Sequence, residues 1–229
     1  MSINRYGTLL TIILIILIVA IIAGLGILGY NLIKPKTDKN KSQEAIAEFD
    51  REFEISGTSQ STGEQEQEQQ NENPTINPIN PTENENIGTT KKKTKYKGFV
   101  MLGYIKIPKT GVEEPILDTV TPDSLNTAVA TLYPSNPQLN KPGNVVIIGH
   151  NYKNGQFFSD NKKLSVGDKL TIKDNTGTQL TYTIYEKFET TPEDTSFYNR
   201  NTNGAIEVTL STCTDDAKAR IIILARVEQ

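Results

Sequence analysis

The chain has 229 residues, with 24 Lys and Arg against 27 Asp and Glu and a net charge of −3, so it lacks the basic face that a dedicated nucleic-acid binder requires. One cysteine excludes an internal disulfide, and one histidine means that any step needing an imidazole must use His150. The first 33 residues carry almost no charge and the next 60 or so almost no large apolar side chains, which leaves about 130 for one globular domain with one core.

Thr8 to Tyr30 is a run of 23 uncharged positions. At 1.5 Å per residue such a run spans a hydrocarbon core of about 30 Å. The competing reading is a cleaved signal peptide, whose apolar region is usually about 7–15 residues long. Ala20-Ile21-Ile22-Ala23 loosely resembles a cleavage site but lies inside the run. Residues 1–33 are therefore expected to be an uncleaved transmembrane anchor. Arg5 precedes the run, and Lys34, Lys36, Lys39 and Lys41 follow it. The positive-inside rule, taken alone, puts the C-terminal side in the cytoplasm.

Residues 34–97 divide into two parts. Ile46, Phe49 and Phe53 fall at helical spacing between Ser42 and Ile55, which predicts a juxtamembrane helix with a weak self-association face. Ser56 to Thr90 is rich in Gln, Glu, Asn, Pro, Thr and Ser, and Asn73-Pro74, Asn77-Pro78 and Asn80-Pro81 interrupt any regular structure. Such a segment buries too little apolar surface to offset its ordering entropy, so it reads as a disordered linker. As a flexible tether it would span roughly 30–35 Å. The basic block Lys91 to Lys97 is a solvated lead-in to the domain or a contact with an anionic surface.

Residues 98–229 are rich in strand signals. Phe99–Ile107, Asn144–Gly149, Lys169–Lys173, Leu180–Phe188, Ile206–Thr212 and Arg220–Val227 are separated by turn residues at Pro108-Lys109, Asp174-Asn175 and Asn203-Gly204. A turn or two of helix is predicted at Phe157–Leu164 and around Ser124–Val129. Many short strands in so short a domain predict an all-β barrel or sandwich.

His150 ends the apolar strand Val145-Val146-Ile147-Ile148-Gly149, and Cys213 ends Ile206 to Thr212. Arg220 opens the next strand seven residues later, so a hairpin returns it to the same sheet end as Cys213. A thiolate attacks a carbonyl carbon, an imidazole lowers the thiol pKa and protonates the leaving amine, and a guanidinium, which cannot act as a base, stabilises an oxyanion or holds substrate. The plainer readings are a buried apolar thiol, a surface histidine, and an arginine paired with Asp215 or Asp216. The residue pattern alone leaves both sets of readings open.

The spelling of these segments resembles the sortase family throughout the C-terminal domain. Tyr104-Ile105-Lys106-Ile107-Pro108-Lys109 followed by Glu114-Pro115-Ile116-Leu117 is similar to the family's opening strand and its extension. Gly143 to His150 (GNVVIIGH) is similar to the segment that delivers the family's histidine. Phe157-Phe158 through Leu164 and Val166-Gly167-Asp168 is similar to the stretch after it. Thr209-Leu210-Ser211-Thr212-Cys213 matches the TLxTC signature, and Arg220 before Ile221-Ile222-Ile223 matches the family's arginine.

The resemblance implies a closed eight-stranded β-barrel with short helices, behind an N-terminal transmembrane helix and a disordered linker. It implies a cysteine transpeptidase that cleaves a C-terminal sorting motif of secreted proteins. A thioacyl-enzyme forms at Cys213, and the acyl group passes to an amine of the cell wall or a pilin. His150 would then be the general acid/base, Arg220 the oxyanion or substrate clamp, and Thr212 and Asn151 substrate-binding residues. No metal, cofactor or nucleic-acid partner is expected. Glu113, Glu114 and Asp118 lie near a loop but form no spaced calcium set. A membrane anchor with an extracytoplasmic domain, as in Gram-positive bacteria, is family-like and opposes the loop-charge rule. Subclass features are mixed, class B-like or class D-like. His150 to Gly155 and Asp215 resemble class B, whereas Glu189–Ala205 is too short for that class's long helix. Two other functions remain open: a surface cysteine endopeptidase with the same site, and a non-catalytic tethered surface-binding β-domain.

Overall fold

The computed structural model describes residues 5–58 and 94–228. One helix, α1, runs Arg5–Thr58. Its stretch Leu9–Leu28 is long and apolar enough to cross a membrane, and none of it is buried against the rest of the chain. Further along, Ser42, Ile46 and Phe49 lie on one face at helical spacing and all are buried. Ile46 and Phe49 pack with Tyr96, Met101, Tyr104, Leu117, Ala128 and Ala130. The stripe expected as a self-association face is thus covered by the chain's own barrel. Phe53's side chain and residues 59–93, where most of the expected linker falls, lie outside the described residues.

Polar contacts pin α1 in place. Ser42 donates to Glu114 (3.1 Å), Tyr104 donates to Asp50 (3.2 Å), and the Lys173 ammonium meets Asp50 at 2.7 Å. Thr94 donates to Glu52. α1 itself runs from the apolar span to its contacts with the barrel.

Among the described residues nine strands follow: β1 (Lys95–Tyr96), β2 (Phe99–Ile107), β3 (Val112–Leu117), β4 (Val129–Tyr133), β5 (Gly143–Ile148), β6 (Lys169–Asp174), β7 (Gln179–Thr190), β8 (Ile206–Cys213) and β9 (Arg220–Val227). They pair in the order β1-β2-β3-β4-β5-β8-β9-β7-β6, and β6 pairs back onto β2. β2 to β9 thereby close into an eight-stranded barrel, the expected fold, with β1 hydrogen-bonded only to β2. β3–β4 and β5–β8 are parallel and the other pairs antiparallel. The helical turn expected at Ser124–Val129 is shorter and earlier. A Thr121/Ser124 capping box starts α2 (Pro122–Leu125), and β4 begins at Val129.

β5, β8 and β9 read as near-continuous apolar runs because both their faces are covered. Val145 and Ile147, Val208 and Leu210, and Ile221, Ile223 and Ala225 point into the barrel core. The alternate positions Val146, Ile222 and Leu224 point outward, against Phe197 with Tyr198 packed beside it. These two aromatics sit on the β7–β8 connection, residues 191–205, which contains no helix. A buried amide fastens this connection. Asn144 Nδ2 donates to the carbonyls of Phe197 (3.0 Å) and Tyr198 (2.9 Å), and its Oδ1 accepts from Thr209 (2.8 Å).

Candidate active site

Strand alternation decides which residues share the covered outer face. In β8 that face takes Thr209, Ser211 and Cys213. The antiparallel register pairs Ser211 with Ile222 and Cys213 with Arg220, so Arg220 lies beside the thiol on the same face. In β5 the outward positions are Val146 and Ile148, and His150 continues that parity two residues on. His150, Cys213 and Arg220 accordingly line one open cleft, shared with Leu132, Ile148, Pro192 and Tyr198. The structure brings together the three residues singled out from the sequence.

Each is held by local geometry. Gly149 lies where a Cβ would meet Phe158 Cδ2 and Val129 Cγ1, both at 2.9 Å, so only glycine lets the chain pass beneath the Phe158 ring to His150. The imidazole lies against the Tyr152 ring, centroids 4.9 Å apart, and Tyr152 donates its hydroxyl to Asn126 (2.7 Å). Desolvation lowers the His150 pKa below the usual imidazole value, favouring the neutral ring.

Cys213 is a half-buried free thiol. The turn after it is pre-formed: Thr214 N–H donates to Ala219 O (3.0 Å), Ala219 N–H donates to Thr214 Oγ1 (3.1 Å), and Ala217 takes a positive φ of 60°. The acids suggested as partners of Arg220 bond elsewhere. Asp215 meets Lys162 at 2.6 Å and Asp216 accepts from Thr214 at 2.7 Å. None of the ion pairs found among the described residues involves Arg220.

The two residues expected to bind substrate are placed differently. Thr212 is only 3% exposed and donates its hydroxyl to Gly149 O (2.8 Å), although part of it reaches the cleft. Asn151 Nδ2 donates to Cys213 O (3.0 Å) and to Asp215 Oδ1 (2.9 Å). Glu113 pairs with Lys106 at 2.8 Å and Glu114 accepts from Ser42, which commits two of the three acids considered for calcium. Sequence reasoning missed the aromatic wall of Phe197 and Tyr198. Its one local signal was Phe-Tyr in an otherwise polar loop, and nothing nearby pointed to Asn144 as its anchor.

The fold and cleft define a class: a closed β-barrel with thiol, imidazole and guanidinium on one covered outer face. The sortase domain model matches residues 105–228, more than half of the chain, and the chain belongs to the sortase family. Sortase A of Bacillus anthracis is 32% identical over 126 residues, covering 53% of this chain and 58% of that protein, so the chain spans less than two thirds of that relative. A Clostridium perfringens sortase D5 transpeptidase superposes with a TM-score of 0.51 at 32% identity over 57% of this chain and 80% of that one. Sortase A from Corynebacterium diphtheriae, a lid mutant, superposes with a TM-score of 0.52 at 23% identity over 57% and 72% of the two chains, a likeness of fold.

Proposed function

We propose that this chain is a membrane-anchored cysteine transpeptidase that transfers the acyl part of a secreted protein's C-terminal sorting motif to an amine of the cell wall or a pilin. The observation that carries the reading is the register pair Cys213–Arg220 with His150 on the same cleft. The Cys213 thiolate attacks the scissile carbonyl carbon, and Arg220, which has no carboxylate partner among the described residues, faces the oxyanion. His150 gives its proton to the leaving amine as the C–N bond breaks, leaving a thioester on Cys213. The acceptor amine then attacks that carbonyl, passes a proton to His150, and the thiolate departs. A lowered His150 pKa makes its protonated form a stronger acid for the first step. The apolar lining from Leu132, Ile148 and Phe197 suits an extended peptide with apolar side chains.

The Leu9–Leu28 helix supports a single-pass anchor, and the proposed substrate places the barrel on the extracytoplasmic side. Identity of 32% to a sortase D5 transpeptidase supports the class D-like reading. The test uses the full chain in detergent, a panel of sorting-motif peptides and an added amine. A ligated product that disappears in Cys213→Ala is expected. Cleavage with no gain from amine would instead identify an endopeptidase, and no cleavage of any motif would overturn the proposal.

A further inference from the structure

We propose that Thr212 and Asn151 are positioning residues, two side-chain ties that hold Cys213 and His150 in register where the backbone ladder between their strands ends. Parallel β5–β8 pairing runs to Ile148–Ser211, and its last backbone bond is Gly149 N–H to Ser211 O at 3.2 Å. After Gly149 the chain turns away from β8 to form a bridge between Asn151 and Phe157. The two reacting groups are thus mounted just beyond the point where hydrogen bonding fixes one strand against the other.

The side chains continue the ladder across this gap, and they do so reciprocally. Thr212, the residue before the cysteine, donates to the carbonyl of Gly149, the residue before the histidine (2.8 Å). Asn151, the residue after the histidine, donates to the carbonyl of Cys213 itself (3.0 Å). Neither has a donor left for a peptide. The single hydroxyl proton of Thr212 is committed, and both Nδ2 protons of Asn151 are used, on Cys213 O and on Asp215 Oδ1. The Asn151 amide cannot flip, because flipping would set its oxygen against two acceptors and its NH2 group against the Lys153 N–H that Oδ1 now accepts (3.1 Å). Asp215 is in turn held by Lys162 at 2.6 Å, so the outer tie is anchored to the 3-10 turn Asn161–Lys163.

The inference rests on Cys213 and His150 being the reacting pair, and its test separates the two claims. Thr212→Val, Thr212→Ser and Asn151→Ala are made in the full chain. Iodoacetamide alkylation of Cys213 is followed against pH, and kcat and KM are measured on whichever peptide the wild type turns over. Alkylation needs no sorting peptide. Displacing a reacting group by about 1 Å costs on the order of 100-fold. We expect Thr212→Val and Asn151→Ala each to lower kcat about 10- to 100-fold with KM changed less than about 3-fold, and to shift the alkylation pH profile. Thr212→Ser restores the hydroxyl and both readouts. A KM raised about 10-fold with alkylation and kcat unchanged would make these substrate-binding residues and overturn the inference. So would alkylation that depends on His150 in the wild type yet is unaltered in both variants. Should Thr212→Val fail to fold, surface-side Asn151→Ala decides alone. If wild-type alkylation is already insensitive to His150→Ala, the reacting-pair reading itself falls.

Discussion

Replacing Phe49 by Ala tests whether α1 is a docked strut. Phe49 is fully buried, meets Tyr104 edge-on with centroids 5.9 Å apart, and shares its cluster with Ile46, Met101 and Leu117. Removing a buried Phe costs about 3–5 kcal/mol, and at about 1.4 kcal/mol per decade that shifts docking toward the released state by roughly two to three and a half decades. The polar pins do not compensate for the loss. Burial first, and Asp50 second, hold the Tyr104 phenol protonated and donating, but that bond forms only while the helix is seated. Hydrogen exchange on the full chain in nanodiscs reads the effect. Amides of residues 42–52 are expected to exchange about 100-fold faster or more, with β5, β8 and β9 unchanged. Unchanged exchange in Phe49→Ala, or loss of protection throughout the barrel, would refute the docked-strut reasoning.

Other predictions concern the cleft. If Arg220 is the proposed oxyanion donor, Arg220→Ala is expected to lower kcat/KM about 100- to 1000-fold and Arg220→Lys to recover little of it because an ammonium lacks the planar fork; single-turnover kinetics check both. Gly149→Ala forces its Cβ against Phe158 and Val129 and should cost about 1–3 kcal/mol in urea unfolding, with kcat falling alongside as His150 moves. His150 has a lowered folded pKa, so the unfolded chain binds the extra proton first as pH falls. Its contribution is fully present above the unfolded value of about 6.5, is lost as pH drops from there through the folded value, and levels off below it. The stability difference between wild type and His150→Gln should therefore be flat above about pH 7 and fall below it, whereas a flat difference from pH 5 to 8 would contradict a desolvated ring.

What the sequence disclosed, and what it did not, follows the range of the interactions. β5, β8 and β9 were readable because apolar runs bounded by turn residues need no partner to be recognised. The seven-residue step from Cys213 to Arg220 has the span of a hairpin, and the structure pairs these two residues directly. The docking of α1 was not readable. Ile46, Phe49 and Phe53 announce an apolar face, but what covers Ile46 and Phe49 is Met101, Tyr104 and Leu117, more than 50 residues away across a low-complexity segment. Asn144 was hidden likewise: an amide inside an apolar strand looks like a blemish until the connection it fastens is folded over it.

Thr212 and Asn151 are the instructive pair. The family resemblance makes them substrate-binding residues, and position along the chain says that they are near the candidate site but not which way they point. Parity bears on this: Thr212 follows Val208 and Leu210 on the inward side of β8 while Cys213 faces the cleft. Where β5 and β8 part, the strand ends lose their ladder, and on the proposed reading Cys213 and His150 keep their spacing there through side chains that replace the missing backbone bonds. A hydroxyl and an amide can do so because each donates to a backbone carbonyl of the facing segment. On that proposal the positions beside Cys213 and His150 are set by the need to close the backbone ladder, and recognition of a peptide is left to the apolar side chains of the cleft.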